Sequence, residues 1–187
     1  MGEIAEKMDQ VIGAVIERDG KYLTFSLANE EYGVGILKVK EIMGIMPITS
    51  VPRTPPFVKG VINLRGKVIP VVDLRLKFRM SEAEYTEQTC IIVVEIGVEN
   101  SNVVVGVVVD AVSEVLNIKR EDIEETPSFG SSLNTDYILG MAKIDAGVKI
   151  LLDIDRVLTE TELDIVSDVA EGEPAVQEET TQEETLA

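Results

Sequence analysis

Five aspartates could do general acid–base work or hold a cation: Asp73, Asp110, Asp145, Asp153 and Asp155. Asp153 and Asp155 share a face only if their segment is extended, and both stand where a helix needs an N-terminal cap, so capping or a solvated turn is the reading they favour. Asp145-Ala146-Gly147 reads as a turn, because no EF-hand pattern surrounds it. Cys90 is the only cysteine and there is no histidine. That removes Ser-His-Asp chemistry, Cys-His chemistry and most zinc sites. Cys90 opens a very apolar run with nothing to activate it, and is expected to be a buried structural thiol. The glycines form neither a GxGxxG nor a Walker loop. The catalytic alternative is a small hydrolase using Asp73 and Asp110, which requires both carboxylates to converge in one pocket with a perturbed pKa. Arg65, followed by Gly66, stands at a tight bend that presents its guanidinium instead of burying it.

The elements that must position these groups are mostly strands. Tyr22–Leu27 alternates with period two, a turn follows, and Glu31–Ile36 returns as a hairpin partner. Val61–Leu64 and Lys67–Leu74 form a second pair around Arg65-Gly66, with Pro70 favouring an edge strand or a bulge. Pro55-Pro56 fixes an extended entry, and Phe57–Gly60 is expected to make one helical turn closed by glycine. Cys90–Ile96 and Val103–Val109 are nearly continuous apolar runs joined by a short turn-rich linker, an antiparallel pair. Ile138–Ile144 and Val148–Leu152 make another hairpin. Two helices are expected: one along Ile36, Val39, Met43 and Met46, and one along Ile154, Val157, Leu158, Thr161 and Ile165. Strands punctuated by Gly and Pro exclude a doubly wound fold and leave small β-barrels or a sandwich. No repeat of fixed short period is evident.

The chain has 187 residues, 34 acidic and 17 basic, a net charge of −17 and a pI near 4.3. Ten of the acids and no base lie from Glu160 to Ala187, leaving 24 acids against 17 bases, or −7, for the rest. The acidic balance argues against nucleic acid and anionic lipid as partners. No apolar run approaches the roughly 20 residues that span a bilayer. A single cysteine excludes an internal disulfide and fits a reducing, cytosolic compartment. The organisation expected is an N-terminal segment, 1–19, flexible at its start; one domain over 20–163, its two lobes dividing near 80–90 with strands free to cross; and a disordered acidic tail, 164–187, too poor in apolar residues to repay its ordering entropy.

The run Val-Lys-Gly-Val-Ile-Asn-Leu-Arg-Gly-Lys-Val-Ile-Pro-Val-Val-Asp-Leu, Val58 to Leu74, resembles the CheW-like domain family of bacterial chemotaxis. Glu31-Tyr32-Gly33-Val34, Ile36 to Ile42, Val107 to Val112 with Val115-Leu116, and Ile150 to Asp155 extend the likeness in order from about Tyr22 to about Leu163. The resemblance implies a mostly β fold of two five-stranded SH3-like β-barrel lobes with a few short helices. It implies an adaptor without catalysis or cofactor, cytoplasmic and recruited to membrane-associated receptor arrays. Its partners would be the regulatory domain of the histidine kinase CheA and the helical hairpin tip of chemoreceptors; alone it would be a monomer. A scaffold serving a receptor system other than swimming is the same class of reading. Carried over residue by residue, the receptor-side positions fall on Val39, Glu41, Gly60 and Arg65, and a kinase-side surface on Ile42, Met43 and Ile45. Glu41 and Arg65 are expected to pair, a carboxylate facing a guanidinium.

Overall fold

The β-branched runs pair into two sheets. The computed structural model describes residues 20–98, 101–127 and 135–171; the expected N-terminal segment and residues 172–187 of the expected tail lie outside the described residues. The first sheet has the order β8-β1-β2-β11-β10-β9, built from β1 (Gly20–Leu27), β2 (Glu30–Gly35), β8 (Ala111–Ile118), β9 (Ile123–Glu124), β10 (Ile138–Ile144) and β11 (Gly147–Leu152). The second has the order β3-β6-β7-β5-β4, built from β3 (Val39–Gly44), β4 (Val58–Leu64), β5 (Lys67–Asp73), β6 (Cys90–Val98) and β7 (Ser101–Val109). Three short helices complete the fold: α1 (Leu74–Lys77), α2 (Ile154–Val157) and α3 (Glu160–Glu171). The architecture is mostly β with two sheets, the class the resemblance implies; the two-residue β9 adds a sixth strand to the first sheet.

The chain does not divide near 80–90. One compact unit takes the described residues up to Lys38 together with Val112–Val157; the other takes Val39–Ala111 and the described residues from Leu158. After each of the hairpins β1–β2 and β6–β7 the chain leaves its unit: β3 pairs with β6, not with the first sheet, and β8 belongs to the first sheet. In the first unit Tyr22, Ile118, Ala142 and Leu151 form a buried cluster. In the second, Ile62, Ile69, Val71, Ile91, Val93 and Val108 do, with Met43, Met46 and Ile48 packed against them. Each such aliphatic side chain contributes about 1.5–3 kcal/mol when fully buried.

Several local expectations are overturned. Only Ile36–Lys38 is helical in the Ile36–Met46 segment, as a 3-10 turn; Val39–Gly44 is a strand. Its burial alternates with period two, and it completes hydrogen bonding along β6 from Val94 to Cys90, so an available edge overrode the helical spacing. Phe57–Gly60 makes no helical turn either: β4 begins at Val58, with a register shift between Val58 and Gly60. Pro70 lies on an interior strand, since β5 pairs with both β4 and β7. Pairing with β7 starts only at Val71, and opposite Val61 the alternation counted from the Leu64↔Lys67 pair places Pro70 at a position without a ladder bond to β4. Cys90 is partly exposed, its thiol directed at the Gln88 carbonyl oxygen at 3.2 Å.

The expected last helix is two. Thr159 breaks it with a capping box: Oγ1 accepts from the Glu162 N–H at 3.2 Å, while Glu162 Oε1 accepts from the Thr159 N–H at 2.8 Å. Residues 164–171 are thus helical, not part of a disordered tail, because Leu163 and Val166 are buried where Thr161 is exposed. Lys77 also pairs with Glu162 at 3.0 Å. Burial pushes Glu162 up, but the Thr159 N–H and Lys77 outweigh it and hold it below the usual carboxylate range.

Candidate functional site

Arg65 and Gly66 form the two-residue loop between β4 and β5, flanked by the Leu64↔Lys67 pair. Both have positive φ, 50° and 86°, the conformation whose twist matches a two-residue hairpin. Asn63 Oδ1 accepts from the Gly66 N–H at 2.9 Å and fixes the turn. Arg65 is thereby held at the tip with 73 % of its side chain exposed, and its guanidinium donates to Glu41 on β3. The expected pair forms. At this exposure it adds only about 0–1 kcal/mol to stability; its effect is orientation.

Gly60 has a structural reason to be glycine. Its φ is +141°, and a Cβ there would stand 1.9 Å from the Thr49 carbonyl oxygen. The close approach lets Thr49 and Val61 exchange two backbone hydrogen bonds of 2.8 Å. Val39 opens β3 opposite Val94, half-buried. On the kinase-side residues the strand pleat decides: Ile42 is 43 % exposed, Ile45 is 36 % exposed, and Met43 is turned against the core. Val39, Glu41 and Arg65 are brought to one sheet with Ile42, while Gly60 supports the hairpin from inside.

A groove of about 640 Å³ opens beside the pair. Glu41, Arg65, Lys40 and Lys67 supply its charged wall, Val68, Ile69, Val103 and Val104 its apolar one, and Ser167 and Ala170 of α3 close a further side. Lys40 pairs with Glu95 at 2.8 Å, so the cations along this rim are spaced by carboxylates. Sequence reasoning missed the groove because residues from six elements, β3 to β7 and α3, meet there and no single segment marks it.

The carboxylates proposed for hydrolysis do not converge. Asp110 is clamped by Arg75 through Nε at 2.7 Å and Nη2 at 2.6 Å, which raises the Arg75 pKa. Asp73 is buried; it caps α1 by accepting from the Leu76 N–H and also accepts from the Tyr85 hydroxyl, both at 3.4 Å. Burial first, and then the Asp73 charge, push Tyr85 well above its usual value. Asp153 caps α2, accepting from the Asp155 N–H at 3.1 Å, and Asp155 pairs with Lys38 at 2.7 Å. Among the described residues no group of His, Cys, Asp or Glu side chains could hold a metal ion. Nor is any helix among them long and apolar enough to cross a membrane.

Residues 21–162 match the model of the CheW-like domain. The chain belongs to that family. It is 43 % identical over 152 residues to the chemotaxis protein CheW of Klebsiella aerogenes, covering 81 % of this chain and 89 % of that one. It is 35 % identical over 123 residues to CheW of Bacillus subtilis, covering 66 % and 76 %. The crystal structure of the scaffolding protein TtCheW from Thermoanaerobacter tengcongensis superposes with a TM-score of 0.68 at 36 % identity, covering 77 % of this chain and 95 % of that one. The CheW-like family is one of non-catalytic chemotaxis scaffolds, and this chain is such a scaffold.

Proposed function

We propose that this scaffold couples chemoreceptors to the histidine kinase CheA by binding both, so that receptor state reaches the kinase through contacts held at fixed mutual geometry. The receptor tip would meet Val39, Glu41 and the β4–β5 hairpin. The kinase regulatory domain would meet β3, whose outer edge has no partner strand among the described residues and which exposes Ile42, with Ile45 following it. Met43 supports this strand from the core. The observation that carries the receptor side is the Arg65 guanidinium, fixed at a hairpin tip by Glu41 although the contact contributes little to stability. Met-rich or aromatic anchors are absent from that tip, so orientation of a bidentate donor is what it offers a partner. The assembly would be cytoplasmic and recruited to receptor arrays.

Calorimetric titration against a receptor-tip fragment and, separately, against the kinase regulatory domain tests both faces. Arg65→Ala is expected to weaken receptor binding about tenfold or more, which is about 1.4 kcal/mol, and to leave kinase binding unchanged. Ile42→Asp is expected to do the reverse. Loss of neither interaction, in folded variants, overturns the site assignment; no binding of either partner by the wild-type chain overturns the function.

A further inference from the structure

β3 carries a β-bulge. Val39 pairs with Val94 and Glu41 with Val93, so Lys40 is an extra residue with no counterpart on β6. In a regular ladder counted back from Glu41, Lys40 would stand opposite Val94 and point to the other face of the sheet. The bulge brings it round: Lys40 and Glu41, consecutive in the chain, both line the groove. Glu95 is on that face as well, two residues from Val93 along β6 and opposite Val104 of β7. Its Oε2 takes the Lys40 ammonium at 2.8 Å, and its Oε1 accepts from Asn102 Nδ2 at 3.1 Å. Charge therefore alternates along Glu95, Lys40, Glu41 and Arg65. We propose that Glu95 is a positioning residue for Arg65: by holding Lys40, it leaves Glu41 to fasten the hairpin tip.

The physical reason is competition for one carboxylate. Glu41 has Arg65 across the groove and Lys40 next to it in the chain. An ammonium on a four-carbon stem is a compact charge that accepts many geometries, whereas the guanidinium needs its planar fork met from one direction. Exposed pairs contribute little each, so a single misplaced cation is enough to tip the balance. Glu95 prevents this from a fixed base: β6 and β7 are interior strands, and Asn102 on β7 holds the carboxylate from the far side. The brace thus runs from the middle of the sheet to its edge strand and on to the β4–β5 tip. Lys40 itself is dispensable in this arrangement, because removing it removes the competitor. The positioning of Arg65 is a property of the free chain; its effect on a partner rests on the receptor-face reading above.

The test reads the Arg65 side chain by NMR relaxation of its Nε–Hε group on the whole chain without partners. The order parameter should stand above about 0.6 in the wild type and fall below it in Glu95→Ala. In the double variant Glu95→Ala, Lys40→Ala it should return, and Lys40→Ala alone should leave it unchanged. A support of the sheet would behave otherwise: the double variant would be as loose as Glu95→Ala, and that result overturns the proposal. So does an Arg65 signal that is mobile in the wild type or indifferent to Glu95→Ala. Denaturant midpoints confirm that the variants are folded; if Glu95→Ala is not, Glu95→Gln removes the charge while keeping the carbonyl that Asn102 donates to. Calorimetry against a receptor-tip fragment gives the second reading. Glu95→Ala should weaken binding about two- to fivefold, and the added Lys40→Ala should restore it. Unchanged affinity in a Glu95→Ala chain whose Arg65 has loosened overturns the role in binding. Absence of binding by the wild type overturns the receptor-face reading, and the relaxation data then decide the positioning alone.

Discussion

In the β4–β5 hairpin, Gly60 admits Thr49, the Asp73 N–H donates to the Phe57 carbonyl at 2.7 Å, and Asp73 caps a one-turn helix. In the β10–β11 hairpin, Gly140 admits Glu124, the Asp153 N–H donates to the Tyr137 carbonyl at 2.8 Å, and Asp153 caps another. Gly140, Asp153 and Tyr137 each lie 80 residues after Gly60, Asp73 and Phe57. Both return strands then pair in parallel with a neighbour, β5 with β7 and β11 with β2. The finishing differs. The second unit puts Arg65-Gly66 at the tip and clasps it from β3; the first puts Asp145-Ala146 there. One scaffold is used twice, and the charge of a two-residue turn distinguishes the copy proposed to bind.

The sharpest way to break that comparison is at the paired glycines. Gly60→Ala forces both a left-handed backbone and a Cβ 1.9 Å from a carbonyl oxygen, and is expected to cost about 4 kcal/mol or more. Gly140→Ala meets Ile123 Cγ2 at 2.6 Å and the Glu124 carbonyl oxygen at 2.9 Å, but at an ordinary φ, and should cost about half as much, because the methyl can move and the carbonyl stands farther off than the one facing Gly60. Denaturant midpoints of the two variants read the difference; equal losses would mean that the units are supported alike. Next come the caps. Asp73→Ala removes a buried acceptor from Leu76 and Tyr85, with an expected loss of about 2 kcal/mol. Asp153→Asn keeps an acceptor and should cost less than about 0.5 kcal/mol at neutral pH.

The Asp153 cap also carries a pH dependence. Burial first, and the neighbouring Asp155 second, raise the Asp153 pKa above its ordinary value. A raised folded pKa means the contribution of Asp153 is fully present below the unfolded pKa and is lost as pH rises through the folded one. Asp153→Asn should therefore flatten that part of the stability–pH curve from about pH 4 upward, as thermal melts across a pH series would show. Glu162 runs the other way: its lowered pKa gives stability above the unfolded value that is lost as pH falls through the folded one. The smallest effect is expected at Arg65→Ala, below about 0.5 kcal/mol in stability; a large loss would show that the turn itself depends on the ion pair.

What could be read from sequence was local. The four hairpins were legible because apolar or alternating runs and turn residues lie within a few positions of one another, and the Arg65–Glu41 pair because the family motif placed both residues. The repeat was not: Gly60 and Gly140 are alike only in what presses against them, and Arg65 and Asp145 share a turn but no chemistry. The strand Val39–Gly44 was misread because its apolar spacing fits either period, and only the open edge of β6 decides. Thr159-Glu160-Thr161-Glu162 carried a capping box in plain view, hidden by reading the acidic composition as a tail.

The interleaving of the chain has a consequence for synthesis. Every strand of the second sheet, β3 to β7, lies between Val39 and Val109, so that sheet can be complete while the remaining residues are still being translated. The first sheet begins earlier in the chain but needs β10 and β11, and must wait for Leu152. Its opening hairpin is therefore made first and finished last. On a ribosome, β1 and β2 would stand as an unfinished edge through most of elongation, which makes them the segment most in need of a holding factor.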